Sequence, residues 1–299
     1  MINKKQVVRS VLLVFFILLV FGHVVHKTGL AEEKDVIVEE DIIYGKGGDV
    51  ELKLDLARPP TGKGPFPALI FLFGGGYRYG SRTHFRIEIR EAAQRGYVAV
   101  TIDYRLTNVI ENGKSKYIFP SQVHDAKCAV RWLRANARKY KIDKKRIGVV
   151  GFSAGANLAL MLGVTDSSVG LEGDCGKMKY SSRVQAVVNL AGGTDMVMHY
   201  KIRRYYIEPF MGGNPDDMPE QYRLATPITH ISKDDPPVLS IYGDMDPGLP
   251  QAEILDAKMK EIGVPHTLII IEGKGHGYNV DFTKDYPIWD FFDKHLRGD

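Results

Sequence analysis

Past an apolar opening stretch, short runs of β-branched and apolar residues alternate along the chain with segments whose apolar positions recur every three or four residues. Val36–Tyr44 and Val50–Ala57 flank Gly45-Lys46-Gly47-Gly48 and read as an antiparallel opening pair. Phe66–Phe73, Tyr97–Ile102, Arg146–Val150, Val184–Leu190, Val238–Tyr242 and Thr267–Ile271 have the length and composition of buried strands. Helix-length segments separate most of them. The clearest is Pro120–Tyr140, where a proline stands at a helix start and Ala126, Val130, Leu133 and Ala137 repeat at helical spacing. His84–Arg95, Ala154–Gly163, Gln251–Ile262 and Lys284–Leu296 are the others. An antiparallel start followed by strand–helix alternation predicts an α/β fold, a mostly parallel eight-stranded sheet with helices on both faces. One segment departs from the pattern. Thr194–Thr226, rich in Tyr, Arg, Met, Gly and Pro, stands where a single helix would suffice. Insertions at the carboxyl edge of such a sheet tend to cover a site, so it is expected to form a short lid.

The chain has 299 residues, 44% of them hydrophobic and 25% charged, enough to bury a core without staples. Its net charge of +4 resides wholly in the first 31 residues, where Lys4, Lys5, Arg9 and Lys27 face no acid. The rest is formally neutral, which removes the counterion-release energy that nucleic-acid binding draws on and sets that class aside. Lys4, Lys5 and Arg9 precede the apolar run Val11–Phe21, which weakens through Gly22 and His23 to Val25, and Gly29-Leu30-Ala31 is a small-x-small cleavage pattern. A stable membrane span wants about 18 or more strongly apolar residues. The expectation is therefore a cleaved export signal over 1–31, with an uncleaved anchor through residues 7–25 as the alternative. On that reading the domain over 32–299 is periplasmic or extracellular and touches a membrane only through an uncleaved leader. Export would permit Cys128 and Cys175 to pair, but two cysteines without motif spacing are expected to stay unpaired. No Cys/His cluster suggests zinc.

The sharpest local signal is Gly151-Phe152-Ser153-Ala154-Gly155, directly after one expected strand and directly before a helix. A tight strand-to-helix turn lifts a serine hydroxyl above the sheet, and glycines are needed where a Cβ would collide. A serine hydroxyl needs a base in reach, and the base needs an acid to orient it. Downstream, His276 lies in the Gly-rich loop Glu272–Gly277 after the last expected strand, whereas His199, His230 and His266 fall outside it. Val238–Tyr242 runs into Gly243-Asp244-Met245-Asp246, which offers two acids. Asp246 is the preferred one, leaving Asp244 to fix the turn. Asp195 is the outside alternative, its expected role being to cap the start of the insertion. Phe73-Gly74-Gly75-Gly76 ends an early strand in bare backbone suited to oxyanion donors, with the Ala154 amide as partner. No Gly-Lys-Ser/Thr follows, so a phosphate-binding loop drops out.

With these residues the chain resembles the α/β-hydrolase fold, specifically carboxylesterases similar to the hormone-sensitive-lipase group and to bacterial feruloyl and acetyl-xylan esterase-like (BD-FAE-type) domains. The likeness runs over about residues 36–297 and includes Gly74-Gly75-Gly76-Tyr77 with Gly80-Ser81, Asp103-Tyr104-Arg105-Leu106, Phe119-Pro120 leading to Arg131-Trp132-Leu133, Ile142–Ile147 before the elbow, and Pro236-Pro237. It implies a triad of Ser153, Asp246 and His276, oxyanion amides from Gly75, Gly76 and Ala154, an ester of a small molecule or carbohydrate as substrate, and no metal or organic cofactor. Two positions depart. Phe73 stands where the family usually has His before the triple glycine, and Ala156 where it often has a second Gly, so Phe73 cannot make the polar contacts that would help hold the loop. Asp103 and Arg105 are expected to form a structural ion pair or turn, and Trp132 to pack.

The same residues leave two rival readings. A prolyl-oligopeptidase-like serine peptidase would need a large access-restricting domain, for which the roughly 35 residues before the first strands leave no room. A non-catalytic binding module on the same fold is motivated by Phe73 and by the possible anchor, and is opposed by the complete triad. Met196, Met198, Tyr200, Tyr205, Tyr206, Phe210 and Met211 crowd the insertion, which is expected to overhang Ser153 and so to favour a small acyl or planar aryl group, while the expected role of any one of them taken singly is to pack the insertion onto the body.

Overall fold

A computed structural model describes residues 36–277 and 286–298. The leader, and the first two residues of the Lys284–Leu296 helix, lie outside the described residues. Among those described, no helix is long and apolar enough to cross a membrane.

β1 (Ile37–Gly47) and β2 (Val50–Arg58) form the antiparallel opening pair, and the turn between them uses Gly48 at φ +61°. β3 (Phe66–Leu72), β4 (Val98–Ile102), β7 (Ile142–Phe152), β8 (Ala186–Leu190), β9 (Val238–Gly243) and β10 (His266–Ile271) complete one eight-stranded sheet in the order β1-β2-β4-β3-β7-β8-β9-β10. β2 joins β4 antiparallel, and every later pairing is parallel. β4, β8 and β9 are buried along their whole length, as strands covered by helices on both faces must be. The elements β5 (Ile110–Glu111) and β6 (Lys114–Ser115) make a separate small hairpin, whose Asn112-Gly113 turn was a legible but unread signal.

The helices are α1 (Arg86–Gln94), α2 (Ser121–Ala135), α3 (Ala137–Tyr140), α4 (Ala154–Val164), α5 (Met196–Met211), α6 (Pro219–Leu224), α7 (Leu249–Ile262) and α8 (Ile288–Phe292). The expected helix Pro120–Tyr140 is thus two, divided at Asn136, whose amide Nδ2 and backbone N–H both donate to Trp132 O. Trp132 packs against the core, as expected. All 11 residues of α4 are buried, which is why the segment after Ser153 is apolar on every side. The insertion folds mainly into α5 and α6. Asp195 caps α5, accepting from the Val197 and Met198 amides, and the helix breaks at Arg203 (φ −136°, ψ 32°).

Two expectations are corrected by the packing. Cys128 and Cys175 are joined in a disulfide. α2 docks on β1 at Gly45, where a Cβ would stand 2.2 Å from one sulfur and 2.6 Å from the other, so the bare glycine makes room for the bridge. The same segment is tied to α2 by Arg131, which donates to the Cys175 carbonyl, and by Glu172, which accepts from buried Lys127 and Arg131. Asp103 and Arg105 do not pair with each other. Arg105 forks onto buried Asp125 of α2, while Asp103 pairs with Arg82. The two follow β4 in irregular backbone, and each meets the cation or carboxylate that another element brings to it, Arg82 before α1 for Asp103 and Asp125 of α2 for Arg105.

Candidate active site

Ser153 stands between β7 and α4 at φ 53°, ψ −115°, a conformation a non-glycine residue holds only when its surroundings enforce it. The flanking glycines make that enforcement possible. A Cβ on Gly151 would lie 2.1 Å from the Gly155 carbonyl oxygen, and one on Gly155 2.1 Å from that of Leu72. The turn therefore sits tightly on the end of β3, with the Ser153 amide donating to Leu190 O at the end of β8.

Ser153 Oγ lies 2.8 Å from His276 Nε2, and His276 Nδ1 lies 2.8 Å from Asp246 Oδ2. The His276 loop can approach because Gly243, at the end of β9, has no side chain; a Cβ there would lie 2.0 Å from Lys274 O. Asp246 is buried. Its other oxygen, Oδ1, accepts from the Gly248 amide at 2.8 Å and lies 4.0 Å from Arg203 Nη2. Burial alone would raise this carboxyl's pKa. The His276 hydrogen bond, the Gly248 amide and the neighbouring positive charges outweigh it and hold the group below the ordinary carboxylate value. Asp244 is exposed and accepts from the Lys274 amide at 3.2 Å, bracing the two loops.

Gly75 (φ +106°) and Gly76 (φ +63°) turn the loop after β3 toward Ser153, a path only glycine follows without strain. The amides of Gly75, Gly76 and Ala154 have no hydrogen-bond partner among the described residues and line the same cavity as Ser153 and His276. Where a histidine could have braced this loop, Phe73 is buried and stacks on Tyr104 at 4.2 Å, and the Tyr104 hydroxyl donates to Phe73 O. Tyr77 stacks on Phe210 of α5 at 3.6 Å and donates to Asn157 Oδ1. Packing and Tyr hydroxyls thus hold what a polar side chain at position 73 would have held. Ala156 is accommodated because its neighbour Gly192 lacks a Cβ, which would come within 2.7 Å.

The cavity encloses about 220 Å³. It is lined by the Gly75–Tyr77 loop, by Phe152, Ser153 and Ala154, by the His276 loop, and by a stripe of α5 made of His199, Arg203, Tyr206 and Ile207.

The BD-FAE family model matches residues 54–259, a span that holds Ser153 and Asp246 and ends before His276. The chain belongs to the BD-FAE family. Among curated relatives, Esterase LipC of Mycobacterium tuberculosis is 30% identical over 72% of this chain and 54% of its own. This BD-FAE chain spans about half the length of the first curated relatives it matches. Two solved structures are similar throughout. A truncated carbohydrate esterase from gut microbiota is 26% identical, with a TM-score of 0.75, covering 89% of this chain and 99% of that one. Esterase 2 of Thermogutta terrifontis phosphorylated by paraoxon is 26% identical, with a TM-score of 0.68, covering 88% and 92%. The fold of this BD-FAE member is that of the α/β hydrolases.

Of the seven Met, Tyr and Phe residues that crowd the insertion, Tyr206 lines the cavity, its ring lying against the bare backbone of Gly76. Met196, Phe210 and Met211 are buried in the core, packing the insertion onto the body as expected of most of them, and Tyr205 is exposed. His199 and Arg203 went unread as site residues. They stand four apart on α5, the spacing that places two side chains on one helix face, but nothing local says which face meets the serine.

Proposed function

We propose that this BD-FAE protein is a serine carboxylesterase. The observation that carries the reading is the continuous hydrogen-bonded line from Ser153 through His276 to Asp246, set beside three unpartnered amides in one cavity. Ser153 Oγ attacks the ester carbonyl carbon while His276 Nε2 takes the hydroxyl proton. The carbonyl oxygen gains charge against the Gly75, Gly76 and Ala154 amides, each such donor contributing about 3 kcal/mol to the barrier reduction. His276 delivers the proton to the departing alcohol, leaving acyl-Ser153. Water then attacks under the same base, and the carboxylic acid leaves as the proton returns to Ser153 Oγ. Asp246 holds the proton on Nδ1 of the resting imidazole and stabilises the imidazolium.

The small cavity and an insertion without a long apolar run support short-acyl or aryl esters, sugar-borne ones included, over long-chain lipids. Similarity to the truncated carbohydrate esterase from gut microbiota supports the sugar-borne class. The leader pattern and the Cys128–Cys175 bridge support export to an oxidising compartment.

The test is labelling by a fluorophosphonate together with turnover of acetyl, butyryl, feruloyl, acetylated-xylan and long-chain esters. Labelling lost in Ser153→Ala, with short or aryl esters preferred, is the expected result. An unlabelled, inactive wild type refutes the reading, and a steep rise on emulsified long-chain esters replaces it with a lipase.

A further inference from the structure

His199 lines the cavity that holds Ser153 and the oxyanion loop, and a chain of hydrogen bonds fixes which of its nitrogens carries the proton. Gln251 of α7 is buried, and its Oε1 accepts from two backbone amides, Thr194 and Asp195, at 3.2 Å each. A backbone amide can only donate, so the oxygen of the Gln251 amide is identified and its Nε2 is the donor. That Nε2 lies 3.3 Å from His199 Nδ1. His199 Nδ1 must therefore accept, and the ring proton sits on Nε2. His199 Nε2 has no hydrogen-bond partner among the described residues, and the ring lines the cavity shared by Ser153 and His276. Burial, then the charges of His276 and Arg203, hold the His199 pKa down at about 4, against an opposing pull from Asp246. The ring is consequently an uncharged donor throughout the neutral range. Arg203, one turn further along α5, adds guanidinium donors to the same wall.

We propose that His199 is a specificity-determining residue whose Nε2–H binds an oxygen substituent of the bound ester, a hydroxyl or ring oxygen beyond the reacting carboxyl group. The inference rests on the esterase reading above and deepens it. An unpaired donor beside the reacting serine discriminates for oxygen-bearing esters, because an apolar one would leave that donor dry and unmatched. The oxygen can belong to the alcohol or to the acyl part, and two substrate pairs separate these sources. One pair is a mono-O-acetyl methyl xyloside against cyclohexyl acetate; the other is ethyl 3-hydroxybutyrate against ethyl butyrate.

The quantity to measure is the selectivity ratio, kcat/KM for the oxygen-bearing ester over that for its apolar match, which cancels any pH dependence or general loss common to the two esters. His199→Phe keeps the ring shape and removes the donor, and should lower the ratio about 10-fold in one pair, the order a neutral hydrogen bond carries. His199→Gln, which keeps an N–H at similar reach, should restore most of it. Gln251→Glu gives a readout that a merely structural role would not move. A carboxylate at this position draws the proton to His199 Nδ1 and leaves Nε2 an acceptor when the ring is neutral. The ratio should then fall as pH rises through the raised His199 pKa, while in the wild type it stays flat between pH 5.5 and 8. Ratios unchanged in both pairs for His199→Phe, or a flat profile in Gln251→Glu, overturn the inference. A wild type that turns over none of the four esters refutes the esterase reading and takes this inference with it.

Discussion

Replacing Asp246 with Asn tests the triad through a constraint particular to this site. The side-chain oxygen away from His276 accepts from the Gly248 amide at 2.8 Å and has Arg203 at 4.0 Å. Both neighbours demand an oxygen there, so the asparagine must turn its NH2 toward His276 Nδ1. The imidazole proton then moves to Nε2, and the ring can no longer accept from Ser153. Flipping the amide restores the tautomer only by setting NH2 against a buried N–H and a guanidinium, which costs about 1–3 kcal/mol. That alone is roughly 10- to 100-fold in rate. The remainder comes from losing the negative charge beside the imidazolium in the transition state. A total near 10⁴-fold, or about 5.5 kcal/mol, matches the corresponding substitution in a serine protease triad. The assay is kcat/KM on phenyl acetate, with thermal melting to verify that the variant is folded. A loss below 10-fold in a folded variant, or a larger loss in Asp244→Asn, would refute the assignment of Asp246 and return the role to another acid.

Ser153→Ala and His276→Ala should each remove nearly all turnover and together cost little more than either alone, since members of one machine are not additive; multiplicative losses in the double variant would show them to be independent. Replacing both Cys128 and Cys175 with Ala opens a loop whose ends are 47 residues apart, worth about 4 kcal/mol by chain entropy, so a clear drop in melting midpoint is expected and an unchanged midpoint would exclude that contribution. Glu172 has its pKa lowered because, although burial raises it, hydrogen bonds and charge from Lys127 with further help from Ser182 and Arg131 outweigh that. Its stabilisation is therefore complete above the ordinary carboxylate value of about 4.3 and fades as pH falls through the depressed folded value. Glu172→Gln should destabilise by about 3–5 kcal/mol at pH 7, because it strips a charge from between two buried cations, and should flatten the acid limb of a stability–pH profile. An acid limb as steep as the wild type's would place that titration elsewhere.

The alternation of strands and helices, the glycine-flanked Ser153 turn and the Asp195 cap are legible in the sequence because each is a local property. Periodicity, β-branching, missing side chains and capping oxygens act within a few residues of themselves. The order Ser153, Asp246, His276 was also readable, since each candidate follows directly on a strand and all these strands end at one edge of a parallel sheet. The Cys128–Cys175 bridge was not readable, because it depends on α2 settling against β1 where Gly45 leaves space. Nor were the separate partners of Asp103 and Arg105, which are set by where Arg82 and α2 settle against the sheet. The α5 stripe of His199 and Arg203 over Ser153, and the proton on His199 Nε2, need α5, α7 and the Thr194 turn all in place. Contacts of this kind join residues from 20 to 57 positions apart and take their geometry from how whole elements pack. Tertiary structure therefore decided them.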